Sequence, residues 1–336
     1  MERKQLVTDA CKVLKPISGL STDEIARKYA YASDLNRQIL KDARDFNNEF
    51  WVKYENYVNL EGIRLRVGQN LSEQHGNGPI YVFIHGLGGN MTQFEPLLRI
   101  LAELNEGFVV LDLPGFGYSS ELYDYNMIRV VEVVEELLQS LTERRKVVLV
   151  GHSLGCHVVM HFVSEFSSKY DIREILLLSP AAPDLPQLKA FFTKVSLTVL
   201  SKMPVLFDWY RIYFDQSKGL DSSGIKQFHY QADTYRKLWQ FFYNVQIKSR
   251  SIVQYLRGWT PINWSSEAIT RLPSAVVITG KLDPITPLST ATSFYEALEP
   301  VRRKDIILVE ECSHNICFDR PDEISELFLD VVDRHG

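Results

Sequence analysis

The sequence predicts an α/β fold in which a mostly parallel, doubly wound sheet is interrupted by a helical cap. Two observations carry this prediction. From about residue 57, short apolar runs alternate with segments of helical periodicity, and the alternation stops over residues 184–268 before it resumes. Apolar strands separated by helices indicate a parallel sheet that is covered on both faces. We therefore assign residues 51–183 and 269–336 to two parts of one α/β core and residues 184–268 to the cap.

The N-terminal segment differs in pattern from the core. Residues 1–50 are charged and helical in periodicity, and Ser21 and Glu24 have the spacing of a helix capping box. Two β-like runs follow, Tyr57–Leu60 and Ile63–Val67, with a Glu-Gly turn between them. The sequence therefore predicts an N-terminal helical extension over residues 1–50 and a β-hairpin at the start of the core.

The remaining core elements follow from runs of β-forming residues and from apolar positions three and four residues apart. The predicted strands are Ile80–Ile84, Phe108–Leu111, Val147–Val150, Ile175–Leu178, Ser274–Ile278 and Ile306–Val309. The predicted helices are Phe94–Leu104, Met127–Leu141, Cys156–Phe166, Thr290–Leu298 and Ile324–Val332. In such a sheet, a site is expected at the edge where the carboxyl ends of the strands meet.

The cap is rich in aromatic residues. Sixteen of the 39 aromatic residues lie between Phe191 and Trp259, which favours a mostly apolar pocket that suits an acyl chain. Residues 191–207 are largely apolar, and Lys194 and Lys202 are spaced to lie near one face of a helix. Two interpretations are open: a helix that lies in a lipid interface with its lysines toward the headgroups, or a cap helix packed on the core.

Composition and charge exclude several classes of protein. The 336 residues are 45% hydrophobic and 24% charged and carry a formal net charge of −5, which is ordinary for a soluble globular protein. Because there is no basic tract, nucleic acid is not an expected partner. No apolar run approaches the ~20 residues that span a bilayer, and no secretory signal is evident. We therefore expect a cytoplasmic protein without a transmembrane segment.

Ser153 is the candidate nucleophile. It lies in the motif Gly-His-Ser-Leu-Gly, residues 151–155, directly after a predicted strand and before a predicted helix. A strand, a tight turn with glycine at each end and a helix form a nucleophile elbow, which holds a serine hydroxyl at the edge of the sheet. The elbow also places the Leu154 N–H at a helix N-terminus, where it can bind an oxyanion.

A glycine-rich loop, His85-Gly86-Leu87-Gly88-Gly89, follows the strand that ends at Ile84. Its glycines allow the backbone to approach a bound group, and the Leu87 N–H is the expected second oxyanion donor. A strand-to-helix loop without a ligand would use the same residues. We expect His85 to organise this loop rather than to catalyse.

Asp283 and His314 are the candidate acid and base. Each follows one of the last two predicted strands. A serine hydroxyl needs a base within hydrogen-bond reach, and the base needs an acid that orients it. The chain order Ser153, Asp283, His314 is that of α/β hydrolases and not of the other serine-triad folds. A rival acid is Asp184, which follows the strand that ends at Leu178.

Three further patterns have competing interpretations. Cys312 and Cys317 flank His314, but a second ligand pair with zinc spacing is missing, so we predict no metal. His314 and Asp319 have the His-x-x-x-x-Asp spacing of acyltransferases, although an acidic residue is also common before a final helix. Asp112 is expected to be a structural acid within its own loop.

These residues resemble the α/β-hydrolase superfamily from about Tyr57 onward. The resemblance depends on four signatures, HGLGG, DLPGFGYSS, GHSLG and the pair LDP and SHN, which are specific for the fold but not for a substrate. It implies an α/β-hydrolase fold. An acyl-enzyme mechanism on Ser153, Asp283 and His314 needs no metal or organic cofactor.

A narrower resemblance is to the fungal lipid droplet hydrolase family. It is carried by the segments QFEPLL (93–98), LDLPGFGYSSE (111–121), SSGIKQFHYQ (222–231), YRKLWQF (235–241) and CSHNICFDRPDE (312–323). This likeness implies a serine esterase or lipase that acts on neutral-lipid esters near lipid droplets. The family's serine, acid and histidine fall on Ser153, Asp283 and His314. The sequence lacks the peroxisome-type C-terminal tripeptide found in the family, so we expect no peroxisomal location.

The leading hypothesis is a serine hydrolase of lipid carboxylic esters, with a lipid ester as substrate and peripheral contact with a lipid surface. One alternative is an acyltransferase or thioesterase that uses the same acyl-enzyme. Another is a non-catalytic, lipid-associated scaffold, against which the complete set of candidate catalytic residues argues.

Overall fold

The computed structural model describes residues 49–71, 78–231 and 234–335. Within these ranges the strands are β1 (Glu55–Leu60), β2 (Ile63–Asn70), β3 (Ile80–Ile84), β4 (Gly107–Leu111), β5 (Lys146–His152), β6 (Asp171–Leu178), β7 (Ala275–Gly280) and β8 (Lys304–Val309). They form one sheet in the order β1-β2-β4-β3-β5-β6-β7-β8. Strand β2 runs antiparallel to β1 and β4, and all other neighbours are parallel. The predicted mostly parallel sheet is confirmed.

Helices cover the sheet and build the segment between β6 and β7. They are α1 (Glu49–Tyr54), α2 (Glu95–Glu103), α3 (Met127–Leu141), α4 (Leu154–Phe166), α5 (Pro186–Lys189), α6 (Phe191–Lys202), α7 (Pro204–Tyr210), α8 (Ser223–Lys226), α9 (Thr234–Gln246), α10 (Ser249–Arg257), α11 (Glu267–Thr270), α12 (Leu288–Ala297), α13 (Ile316–Asp319) and α14 (Pro321–Asp333). Short 3-10 or π turns occupy Met91–Phe94, Arg211–Asp215 and Gln216–Asp221. None of the helices in the described ranges is long and apolar enough to cross a membrane.

The predicted hairpin is confirmed. Leu60 and Ile63 pair across the turn, and Gly62 has φ +76°, a conformation that favours glycine. The predicted N-terminal extension, residues 1–50, lies outside the described residues except for its last two.

Strand β6 begins at Asp171 rather than at the predicted Ile175. Its first residues alternate between exposed and buried, and only the second half is continuously buried. The apolar run therefore marks the fully covered part of the strand, while the exposed Asp171 and Arg173 conceal the rest. The other core elements agree with the predictions to within four residues at each end.

Apolar side chains cover both faces of the sheet, as the alternation of strand residues requires. Val82 and Ile84 of β3 face the cluster that includes α3 and α4. Tyr81 and Phe83 of the same strand face the cluster that includes α2 and α14. The sheet is therefore buried on both faces, and the loops at its carboxyl edge start from this packed core.

The helical segment between β6 and β7 coincides with the region predicted as the cap. The predicted boundaries of the cap and of the two core parts stay predictions. The single apolar segment over residues 191–207 is two helices, because Pro204 begins α7 and cannot continue α6.

Candidate active site

The elbow at Ser153 is a strained turn between β5 and α4. Ser153 has φ +53° and ψ −118°, and its N–H donates to the Leu178 carbonyl at 2.9 Å. A β-carbon on Gly155 would lie 2.1 Å from the Ile84 carbonyl oxygen, and one on Gly151 would lie 2.8 Å from the Gly155 carbonyl carbon. The two glycines of the motif are therefore required by close backbone contact, and the strain at Ser153 is typical of a functional site.

The glycine-rich loop after β3 lies directly beside Ser153. A β-carbon on Gly86 would be 2.8 Å from the Ser153 β-carbon, and the Gly89 N–H closes a turn onto the Gly86 carbonyl at 3.0 Å. The backbone of Leu87 therefore follows a residue in contact with Ser153, and Leu154 is the first residue of α4. Leu154 thus adjoins the serine in the chain, and Leu87 adjoins a residue that contacts the serine.

The buried His85 ring connects its own loop to the loop that follows β4. Its Nε2 accepts the Leu113 N–H at 2.8 Å, and its Nδ1 lies 2.7 Å from the Gly86 carbonyl, to which it donates. Burial lowers the pKa of His85. The ring is thus a neutral bridge between two loops, which agrees with the expected organising role.

Asp283 and His314 form a buried hydrogen-bonded pair. The distance from His314 Nδ1 to Asp283 Oδ2 is 2.8 Å, and their side chains are 3% and 0% exposed. Asp283 Oδ1 accepts the N–H groups of Ile285 and Thr286 at 2.8 and 2.9 Å. Burial acts to raise the pKa of Asp283, but the hydrogen bond and charge of His314 and the bonds from Thr286 outweigh it, so the pKa is lowered. An ionised Asp283 fixes a proton on His314 Nδ1 and leaves Nε2 free to accept one.

The rival acid does not meet the histidine. Asp184 is half exposed and forms an ion pair with Lys189 at 2.8 Å. It therefore occupies the surface of the segment after β6 rather than the Asp283–His314 site.

His152 joins the elbow to the histidine loop. Its Nε2 donates to the His314 carbonyl at 2.9 Å, and the two ring centroids are 4.8 Å apart. Ser153 and His314 are thereby held on adjacent segments. Across the described residues, the Ser153 hydroxyl makes no hydrogen bond to the His314 ring, and such bonds often tighten only when substrate is bound.

A segment of the cap is bonded to the histidine loop. The Asn315 N–H donates to the Phe228 carbonyl at 2.7 Å, and the Ser313 hydroxyl donates to the Gln227 carbonyl at 2.8 Å. The Phe228 ring stands edge-on to the His314 ring, with centroids 5.5 Å apart. Residues 227–230 thus form one wall of the site, and nothing in their sequence pattern indicated this contact.

Asp319 ties the same two segments together. Its Oδ2 accepts the Ser313 N–H at 2.6 Å and the Tyr230 N–H at 2.8 Å. Burial raises the pKa of Asp319. The Nδ1 of His314 is already hydrogen-bonded to Asp283. Asp319 instead accepts hydrogen bonds from backbone N–H groups.

Thr286 is a site residue that the sequence prediction missed. Its hydroxyl lies 2.6 Å from Asp283 Oδ2, 3.1 Å from His314 Nδ1 and 3.2 Å from the Ser179 carbonyl. The available signal was a threonine three residues after an aspartate in a turn, where hydroxyls commonly bond to nearby polar groups.

The other singled-out residues have structural surroundings. Asp112 accepts the N–H groups of Met91 and Tyr118 at 2.7 and 2.9 Å and lies 3.3 Å from Arg66 Nη1, as expected of an acid that organises a loop. Cys312 and Cys317 are buried in the apolar cluster behind the sheet. In the described part of the chain, no three His, Cys, Asp or Glu side chains are grouped as metal ligands.

A strained serine at an elbow, beside a buried aspartate–histidine pair at the carboxyl edge of a mostly parallel sheet, defines the class of α/β hydrolases. Residues 81–327 match the model of the alpha/beta hydrolase family, and the chain belongs to that family. More particularly, it is 35% identical over 356 aligned residues to Lipid droplet hydrolase 1 of Saccharomyces cerevisiae, with 95% of each chain covered. The chain therefore belongs to the same family as that protein, and the predicted resemblance is confirmed.

Solved structures agree on the fold. An esterase from Exiguobacterium antarcticum superimposes with a TM-score of 0.65 at 18% identity, covering 83% of this chain and 99% of the esterase. The enol-lactonase from Burkholderia xenovorans LB400 superimposes with a TM-score of 0.62 at 16% identity, covering 83% of this chain and all of the lactonase. At these identities, the likeness shows the α/β-hydrolase fold.

Proposed function

We propose that the protein is a serine hydrolase of lipid carboxylic esters that works through an acyl-enzyme on Ser153. The observation that carries the proposal is the buried Asp283–His314 pair, whose loop is bonded through His152 to the strained elbow. A buried carboxylate that orients an imidazole beside a positive-φ serine is the arrangement that activates a hydroxyl.

The mechanism follows from the roles of these groups. The Ser153 oxygen attacks the ester carbonyl while His314 Nε2 takes the hydroxyl proton, and the Leu87 and Leu154 N–H groups bind the oxyanion. His314 returns the proton to the alcohol oxygen as the ester bond breaks, which leaves an acyl-serine. Water then attacks the acyl-serine and gives a proton to His314, which passes that proton to the Ser153 oxygen as the acyl bond breaks and the fatty acid leaves. Asp283 stays ionised and stabilises the imidazolium in both halves.

The substrate class rests on the relative and on the cap. The relative that covers 95% of each chain is named a lipid droplet hydrolase. The aromatic cap provides apolar side chains beside the site, among them Phe228. We therefore propose acyl esters of neutral lipids, triacylglycerol among them, as substrates, and the cytoplasmic surface of lipid droplets as the location.

A fluorophosphonate probe tests the serine mechanism. Wild-type protein is expected to be labelled, and Ser153→Ala is expected to lose the label and at least about 10³-fold of kcat, because the nucleophile is gone. Ser265→Ala, which removes an exposed loop serine, is the matched control and should retain both. Absence of label on folded wild-type protein would contradict the proposal.

The substrate class is tested separately. Rates on p-nitrophenyl esters of increasing chain length and on emulsified triacylglycerol should rise toward long acyl chains if the cap binds them. A flat or short-chain preference would refute the lipid assignment but leave the serine mechanism intact. Competition with glycerol or lysophospholipid as acceptor shows whether acyl transfer accompanies hydrolysis.

A further inference from the structure

The cap carries a concentration of exposed apolar side chains. Of the 19 large hydrophobic residues that are exposed in the described ranges, 12 lie between Phe191 and Phe214. We call these residues the apolar face: Phe191, Phe192, Val195, Val199, Met203, Val205, Leu206, Trp209, Tyr210, Ile212, Tyr213 and Phe214. Phe191 and Phe192 are 73% and 82% exposed, which is far from the burial such side chains find in a core. Soluble proteins rarely expose so many apolar residues together unless the surface binds something.

The apolar face is held outward by a buried anchor. Arg211 lies in the second half of the segment that carries the apolar face. Its guanidinium donates to the Asn244 and Ile247 carbonyls at 2.7 and 2.5 Å and to the Ser249 hydroxyl at 3.1 Å. This ties the segment to the junction of α9 and α10. The neighbouring Trp209 and Phe214 rings contact each other, with centroids 5.5 Å apart, and both are about half exposed. The apolar residues are therefore presented by an ordered support.

The charges on this segment favour an anionic partner. Residues 191–214 contain Lys194, Lys202, Asp208 and Arg211. The two lysines are exposed, whereas Arg211 is buried and Asp208 is half-buried. The margin of the apolar face is thus basic on a chain whose formal net charge is −5. Lysines at the edge of an apolar helical face place their stems along apolar surface and their ammonium groups at anionic headgroups.

The side chains of the second half favour lipid over protein. From Met203 to Phe214 the exposed residues are Met, Val, Leu, Ile, Trp, Tyr and Phe, and none is charged. Trp and Tyr have an apolar body and a polar tip that suit a membrane interface. A protein interface surrounds an apolar centre with a polar, hydrogen-bonding rim.

We propose that the apolar face docks the protein onto a phospholipid-covered surface, with its aromatic and aliphatic side chains among the acyl chains and Lys194 and Lys202 at the headgroups. This deepens the proposed function, because docking would bring a lipid ester to the cap, but binding itself does not depend on catalysis. Helix α6 packs on α10, but Leu197 is its one buried residue, so most of its apolar side chains stay exposed.

Vesicle binding tests the proposal. Trp209 is exposed, whereas the other four tryptophans are buried or half-buried, so brominated acyl chains should quench its fluorescence on binding. Wild-type protein is expected to co-float with vesicles of phosphatidylcholine and phosphatidylserine. The double variant Trp209→Ser, Phe214→Ser should partition at least about tenfold less, because two large apolar side chains are lost. Tyr123→Ser, at a 96% exposed position outside the apolar face, is the matched control and should bind like wild type.

Replacement of the two lysines provides a second test of the docking proposal. Lys194→Gln with Lys202→Gln should lower binding about tenfold on vesicles with phosphatidylserine and leave binding to pure phosphatidylcholine unchanged. Circular dichroism and thermal melting establish that each variant is folded. The proposal is overturned if both double variants bind like wild type, or if they change only a dimer that wild-type protein forms without lipid.

The two proposals fail in different ways. Ser153→Ala should still bind vesicles, and the Trp209→Ser, Phe214→Ser variant should still hydrolyse a water-soluble short ester at the wild-type rate. Vesicle binding without ester hydrolysis by wild-type protein would refute the proposed function alone. Hydrolysis without vesicle binding would refute the docking surface alone.

Discussion

Thr286 stands between the two buried partners of the site. Its hydroxyl is within hydrogen-bond distance of Asp283 Oδ2 and of His314 Nδ1, and its N–H donates to the other oxygen of Asp283. A side chain that contacts both groups restricts the orientation of the carboxylate toward the imidazole. We therefore regard Thr286 as a positioning residue for the proposed acid–base pair.

Replacing Thr286 by valine keeps the shape and removes the hydroxyl. We expect kcat to fall by about 10- to 100-fold with little change in KM, because the pair loses its alignment. The pKa of Asp283 is raised by burial and lowered by His314 and by the hydrogen bonds from Thr286. Loss of the Thr286 hydroxyl bond in Thr286→Val should therefore raise this pKa and move the acid limb of the pH–rate profile to higher pH. Thr286→Ser should restore both quantities. An unchanged profile in the valine variant would show that the hydroxyl only fills space.

The sequence allowed a prediction for candidate residues that lie beside strand ends. Ser153, Asp283 and His314 each follow a strand that its apolar run made visible, and parallel strands bring such positions to one edge. Thr286 and Phe228 were not predictable in the same way. Both residues belong to the site because they contact segments that are distant in the chain. A single hydroxyl or aromatic ring produces no periodic pattern from which such contacts could be predicted.

At the scale of elements, the cap is joined to the loop that carries the proposed base. Asp319 accepts one N–H from each side, Ser313 and Tyr230, and the Asn315 N–H adds a bond to Phe228. Displacement of residues 227–230 would therefore disturb the loop of His314. The geometry of the base depends on the cap as well as on the core.

Asp319→Ala should break this link. We expect kcat to fall about tenfold on hydrolysis and on any acyl transfer alike, and amide hydrogen exchange to accelerate in residues 227–230 and 313–315. Asp319→Asn keeps one acceptor oxygen and should recover part of the protection. Unaltered exchange in the alanine variant would argue against the link. A loss confined to acyl transfer would instead favour the acyltransferase interpretation of the His314–Asp319 spacing.

The cap also shows what periodicity leaves undetermined. The apolar residues of α6 and α7 were compatible both with packing on the core and with exposure to lipid. Whether an apolar helical face is covered depends on where neighbouring elements run, and an insertion without strands has no alternation that reveals its neighbours. The break at Pro204 was open to prediction, because proline begins helices and interrupts them.

At the scale of the molecule, three buried histidines link stability to pH. Burial lowers the pKa values of His152, His157 and His229 to about 3. In the unfolded chain these side chains titrate near their ordinary value of about 6.5. Between pH 6.5 and 3 the unfolded state therefore binds more protons, so stability is full above this window and falls as the pH drops through it.

Each of these histidines is expected to contribute a slope of about 1.4 kcal/mol per pH unit within this window. Urea unfolding between pH 7 and pH 5 measures it. His157→Phe should lower the slope by about 1.4 kcal/mol per pH unit, because one proton-linked group is removed. Tyr123→Ser should have the wild-type slope. A His157→Phe slope equal to that of wild type would mean that this ring is not the neutral, buried group described.

The separation of the elbow from the loop that completes it has a consequence for biosynthesis. The His152–His314 bond joins residues 162 positions apart, and Asp283 precedes His314 by only 31. At a ribosomal rate of about 5 to 20 residues per second, the serine emerges roughly 10 to 30 s before its partners. Under the proposed mechanism, a nascent or prematurely terminated chain has a nucleophile without a base. Such a chain could not attack cellular lipid, and activity would begin only when the last strands close the sheet.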